Sequence, residues 1–176
     1  MGVKTTMRAE APEALPAVEA GAVPCNILAP TGRLDAVLTA WNRGHLAEVP
    51  AGHGFDVLCM PGALARDAVE RLRAAGLQTG PVILGPSGAE FILRLHSARR
   101  WDEPNSTLLR PGTLVLLPPP TAVCPERTVG GRGWLIPPAY HEESCPLGHG
   151  VTWGGDLLEP YRAAVKAAKK AEVAGR

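Results

Sequence analysis

Gly52-His53-Gly54-Phe55-Asp56-Val57-Leu58-Cys59-Met60-Pro61 is a short apolar strand that runs directly into a helix beginning near Gly62. Its reading decides the fold, because a strand delivered into a helix is the repeating unit of domains that layer helices on a sheet. Strand ends of this kind are also where such folds put chemistry. Here the end carries Cys59 and Pro61, where a metal-using enzyme carries carboxylates. The segment has the outline of an active site with its ligands missing.

Downstream, Leu64, Ala68 and Leu72 recur every fourth residue, which predicts a helix over 62–75 stopped by Gly76. Upstream, Cys25-Asn26-Ile27-Leu28 reads as a first short strand. Leu34, Val37, Leu38 and Trp41 then fall at i, i+3, i+4 and i+7, an amphipathic helix over 31–43 with Thr31 as N-cap and Gly44 as stop.

Residues 81–84, 90–96, 113–117 and 133–136 are short runs rich in leucine or β-branched residues, each bounded by Gly or Pro. They read as strands, antiparallel in the main. Gly85-Pro86-Ser87-Gly88 between the first two is a hairpin turn. A last helix over 156–173 places Leu157, Leu158, Tyr161, Val165 and Ala168 on one side and should dock through its first half. Asp156 and Glu159 are its candidate caps, with Pro160 read into the first turn. Lys166, Lys169 and Lys170 suit the helix dipole near the end and keep that surface solvated. The expected fold class is α+β, a mixed and largely antiparallel sheet with helices packed on one side.

With 176 residues and 45% hydrophobic composition, the chain can bury one core. Residues 1–24, largely Ala, Glu and Pro without a repeating apolar face, read as a disordered arm. Residues 25–155 then form one domain and 156–176 a C-terminal helix with a basic end. The formal charge of +1 gives no global pull toward nucleic acid or anionic membrane, so any basic surface must be local. No apolar run reaches about 18 residues, and no apolar core with a small-residue cleavage site opens the chain. The sequence predicts a cytoplasmic protein that does not engage membrane. Cys25, Cys59, Cys124 and Cys145 are sparse and form no CxxC pair, so reduced thiols are expected.

The order of motifs resembles a known family. Trp41 ends a helix, Gly52-x-Gly54-Phe55-Asp56-Val57-Leu58 follows, and then come Gly80-Pro81-Val82 and Phe91-Ile92-Leu93. The series continues with Pro111-Gly112-Thr113-Leu114-Val115-Leu116-Leu117-Pro118-Pro119-Pro120 and closes with Gly133-Trp134-Leu135-Ile136-Pro137-Pro138. Over residues 25–140 this resembles the bifunctional DNA primase/polymerase N-terminal domain in its short actinobacterial form. The resemblance implies a primase-polymerase-like fold. It also implies acidic ligands for two Mg²⁺ or Mn²⁺ ions at the end of the strand that here closes on Cys59 and Pro61.

A thiol is a poor ligand for hard cations and proline has no side-chain donor, so two-metal nucleotidyl transfer is unsupported and no cofactor is expected. Asp56 is a weak substitute, since three residues along a strand it points to the face opposite Cys59. A carboxylate tied to a neighbouring Gly-rich turn is its blander role. The family's catalytic histidine falls near His96, whose spacing does not match well. Arg94, His96, Arg99 and Arg100 form the densest basic cluster outside the C-terminus, and with Trp101 they make the leading phosphate-contacting and base-stacking surface.

Other motifs are weaker. Gly52-His53-Gly54 and Gly130-Gly131-Arg132-Gly133 match neither a Walker A loop nor a complete GxGxxG, and turn geometry explains them. Cys124, His141, Cys145 and His149 are zinc-competent, but Pro146 breaks a helical spacing and a plain loop with a buried thiol is the simpler reading. No GxSxG nucleophile elbow exists. Cys59 before a helix N-terminus could act as a lowered-pKa thiol, against the blander buried strand cysteine.

The sequence therefore favours a non-catalytic primase-polymerase-like module, a pseudoenzyme that binds nucleotide, nucleic acid or a protein partner. The alternatives are an active nucleotidyltransferase with carboxylates relocated to Asp56, Glu90 or Asp102, and a regulatory or structural interaction domain that could form a homodimer.

Overall fold

A computed structural model of the chain describes residues 25–138 and 150–175, with the side chains described from Ile27 onward. Its elements are α1 (Cys25–Leu28), a 3-10 turn (Ala29–Thr31), α2 (Leu34–Asn42), β1 (Ala47–Pro50), β2 (Phe55–Met60), α3 (Gly62–Ala74), β3 (Val82–Gly85) and β4 (Gly88–Arg94). They continue with β5 (Thr107–Leu108), β6 (Leu114–Leu117), β7 (Gly133–Ile136) and α4 (Gly154–Ala174).

The class is α+β, as the periodicities imply. A five-stranded sheet has the order β5-β2-β4-β3-β7, and β1 pairs with β6 in a separate two-stranded sheet. Every named ladder is antiparallel, with parallel isolated bridges at Leu93–Thr152 and Val123–Trp134. The chain leaves β2, returns through α3, and begins β3 parallel to β2. The Gly85–Gly88 hairpin then inserts β4 between the two.

Register assigns the two faces. Phe55, Val57, Ile83, Ile92 and Trp134 share one core with Val37 and Trp41 of α2 and with Val49 and Val115 of the small sheet. Leu58, Met60, Val82, Phe91 and Leu93 share the other with α3 and α4. Helices therefore lie on both faces rather than one, because the runs 55–60 and 88–94 are apolar on both sides of the pleat and each side needs a cover. Trp41 donates its indole N–H to the Leu117 carbonyl at 3.1 Å, and Trp134 donates to Pro118 and Pro119 at 3.1 Å each. Leu117, Pro118 and Pro119 supply the acceptors for both buried tryptophans, so this segment ties the core together.

Several local expectations are corrected. Residues 25–28 are a helical turn, not a strand; a four-residue apolar run cannot separate the two by period, and the Thr31 hydroxyl closes the coil by donating to the Leu28 carbonyl. The same hydroxyl accepts the Arg33 N–H at 3.2 Å, so Thr31 finishes the preceding turn and α2 starts at Leu34 without a side-chain cap. α4 begins at Gly154 with Trp153 as N-cap and no side-chain cap, which puts Asp156 in its first turn and Glu159 beyond it. Pro160 is thus the seventh helical residue, buried in the core and lacking the N–H that would bond Asp156. The lysines precede the last turn of α4, which ends at Ala174.

Candidate functional site

The end of β2 is where chemistry was expected first. Cys59 is half-buried and faces away from α3; burial, helped by Glu90 and opposed by Arg132, pushes its thiol up to about 11. The low-pKa reading fails because the side chain points to the sheet face that α3 does not cover, so the helix N-terminus does not reach it. Glu90, its cross-strand neighbour, is ion-paired with Arg132, whose Nε also donates to the Leu116 carbonyl at 3.0 Å. Arg132 thereby joins the two sheets. Beside it, Pro61 at the N-cap of α3, Gly62 and Arg66 of that helix, and the Pro86–Ser87 turn bound a shallow, open cleft of about 700 Å³. Among the described residues, no carboxylate lines it.

The carboxylates proposed as relocated ligands do not converge. Asp56 lies on the α3/α4 face of the sheet, Glu90 on the opposite face, and Asp102 is exposed in the loop after β4. The divalent-metal pair that the family resemblance implies is not matched by this arrangement.

Asp56 does something else. It is buried at 8% exposure, and its Oδ2 accepts the His96 backbone N–H at 2.6 Å. His96 has φ +66, a left-handed conformation that costs a non-glycine residue about 1 kcal/mol. The blander reading of Asp56, a carboxylate tied to a turn, is right in kind, but the turn is the one after β4. The His96 side chain is exposed, and only its backbone is held.

That turn is pinned a second time. Ser97 Oγ donates to the Arg94 carbonyl at 2.7 Å and accepts the Gly154 N–H at 2.9 Å, while the Arg94 N–H donates to Thr152 at 2.9 Å. The end of β4, the turn over 95–100 and the start of α4 form one fixed corner. From it project Arg94, His96, Arg99 and Arg100, all exposed. Among the described residues, none of the three arginines lies within ion-pair distance of a carboxylate.

Trp101 does not join them as a free ring. It packs against Tyr161 with centroids 5.3 Å apart, and its Nε1 donates to Ser106 at 2.8 Å. The aromatic at the corner is Trp153, 45% exposed, with the Arg94 guanidinium 5.0 Å from its ring centroid. Sequence reasoning missed it, because Arg94 and Trp153 meet only through tertiary contact. The available signal was a tryptophan set before Gly154-Gly155 at a helix start.

Of the zinc candidates, Cys124 is half-buried with its thiol raised mainly by burial, and His141, Cys145 and His149 lie outside the described residues. Among the described residues, no group of three His, Cys, Asp or Glu side chains is placed to hold a metal ion. No helix among them is long and apolar enough to cross a membrane. Comparison with protein-family models, with curated proteins and with solved structures finds no match for this chain.

Proposed function

We propose that this chain is a non-catalytic, cytoplasmic binding module of primase-polymerase-like layout that engages the phosphates of nucleic acid or nucleotide through Arg94, Arg99 and Arg100. The observation that carries this reading is three exposed arginines that, among the described residues, are committed to no carboxylate. The three arginines project from a twice-pinned corner, while the nearby Asp56 is turned inward onto a backbone N–H and Glu103 is ion-paired with Arg162. Exposed guanidinium groups on a fixed backbone suit phosphate oxygens, which need no sequence-specific partner.

Binding of a labelled oligonucleotide measured against salt tests it. Affinity should fall as salt rises, and neutralising the three arginines should flatten the slope of log affinity against log salt by about 2–3. Absence of association even at low salt would end this reading.

A protein partner or homodimer is the second reading, favoured by Leu114 and Leu116, which stand 60% and 37% exposed on the outward face of the two-stranded sheet. A monomer by sedimentation whose behaviour is unchanged in Leu114→Lys would remove the homodimer version.

A further inference from the structure

We infer that Trp153 is a base-stacking platform, and that the ligand of this corner is a single nucleic-acid strand rather than a duplex. The inference rests on the phosphate-binding reading above and names the class of ligand for that surface.

The four tryptophans are not equivalent. Trp41 and Trp134 are buried with their indole N–H groups committed to main-chain carbonyls, and Trp101 is committed to Tyr161 and Ser106. Trp153, at 45%, is the exposed one of the four.

That ring is also held. The Arg94 guanidinium lies over it, and Gly155 makes room beside it: a Cβ there would stand 2.8 Å from the indole Nε1 and 2.9 Å from Cδ1. Glycine is a poor residue for the first turn of a helix, yet any larger residue would push the ring out of this position. An exposed aromatic ring with an arginine against it, next to further exposed arginines in the same turn, is what an unpaired base stacks on. A duplex hides its base faces inside the helical stack, so only a single strand can offer one to Trp153 while its phosphates meet Arg99 and Arg100.

Fluorescence anisotropy of the full chain with labelled oligo-dT, oligo-U and a duplex of equal length tests this, and the two single strands separate DNA from RNA. The wild-type chain should bind at least one single strand more tightly than the duplex. Trp153→Ala should weaken single-strand binding roughly tenfold or more, leave duplex binding unchanged, and leave the circular dichroism spectrum intact. Trp153→Phe should retain most of the affinity. Gly155→Ala, which displaces the ring without removing it, should weaken single-strand binding in the same sense. Equal losses on strand and duplex in Trp153→Ala, no loss on either, or a wild-type preference for duplex would overturn the stacking role and leave the phosphate reading standing. A wild-type chain that binds none of the three probes overturns both.

Discussion

Two helix starts stand at opposite ends of the β2–β4 ladder, Met60–Pro61–Gly62 after β2 and Thr152–Trp153–Gly154 beside the end of β4, and they differ in what happens to their polar groups. At the first, the thiol is half-buried and held protonated, and the neighbouring carboxylate is neutralised by an arginine that also bonds a main-chain carbonyl. At the second, the buried Asp56 carboxylate serves the backbone, and the arginines and a tryptophan are left facing water. A helix start carrying glycine resembles a site in sequence at either place. What distinguishes them is whether the charged groups have already found partners within the protein, because a paired and half-buried group has little left to offer a ligand.

The largest expected effect tests the structural character of the first junction. Arg132→Met strands Glu90 in a half-buried position and should cost about 2–3 kcal/mol in denaturant unfolding. The double variant Arg132→Met with Glu90→Met should recover most of that loss, since the penalty lies in the unpaired charge rather than in the missing attraction. Equal stability of Arg132→Met and wild type would mean the pair is not structural.

Next is the buried carboxylate behind the second junction. Asp56→Ala leaves the His96 N–H without its acceptor and should cost about 1–3 kcal/mol, with weaker oligonucleotide binding because the corner loosens. Asp56→Asn keeps an acceptor oxygen and should cost less than about 1 kcal/mol. A synthesis assay with Mn²⁺ in which wild type makes product and Asp56→Asn makes none, at unchanged stability, would assign Asp56 to chemistry instead.

The thiol supplies a pH test. With its folded pKa raised from 9.0 to about 11, Cys59 contributes stability fully below pH 9, where folded and unfolded chains both hold the proton. Above that, the unfolded chain ionises first, and the contribution is lost as pH rises through about 11. The unfolding midpoint of wild type should therefore fall more steeply over this window than that of Cys59→Ala, and parallel curves would refute the assignment. Smaller still, His96→Gly relieves the left-handed backbone and should be neutral or stabilising by up to about 1 kcal/mol, with binding retained. Replacing Lys166, Lys169 and Lys170 with Gln should change stability by less than about 0.5 kcal/mol.

Much of the fold was legible because its elements are periodic. α2 and α3 carry apolar residues at helical spacing and end before glycines, and the strands at 82–85, 88–94, 114–117 and 133–136 are apolar runs between Gly and Pro. β1 and β5 were not legible: Ala47–Pro50 includes Glu48 and a terminal proline, Thr107–Leu108 is only two residues, and each is defined by its partner rather than by pattern. The arginines of the candidate site could be read as a local cluster. Their aromatic partner could not, because Trp101 is adjacent in sequence but committed to Tyr161, whereas Trp153 lies dozens of residues away.

The sequence by itself determined the strand-to-helix unit at Phe55–Ala74, the α+β class, and the absence of acids at Cys59 and Pro61, since periodicity and residue chemistry are properties of contiguous chain. It also determined that Asp56 and Cys59 face opposite sides of the sheet, because alternation is intrinsic to a strand. Only the tertiary structure decided which charged groups are consumed. Glu90 meets Arg132, Asp56 meets the His96 backbone, and Arg94 meets Trp153 across sequence separations that no local pattern encodes, because such pairings depend on how distant segments pack.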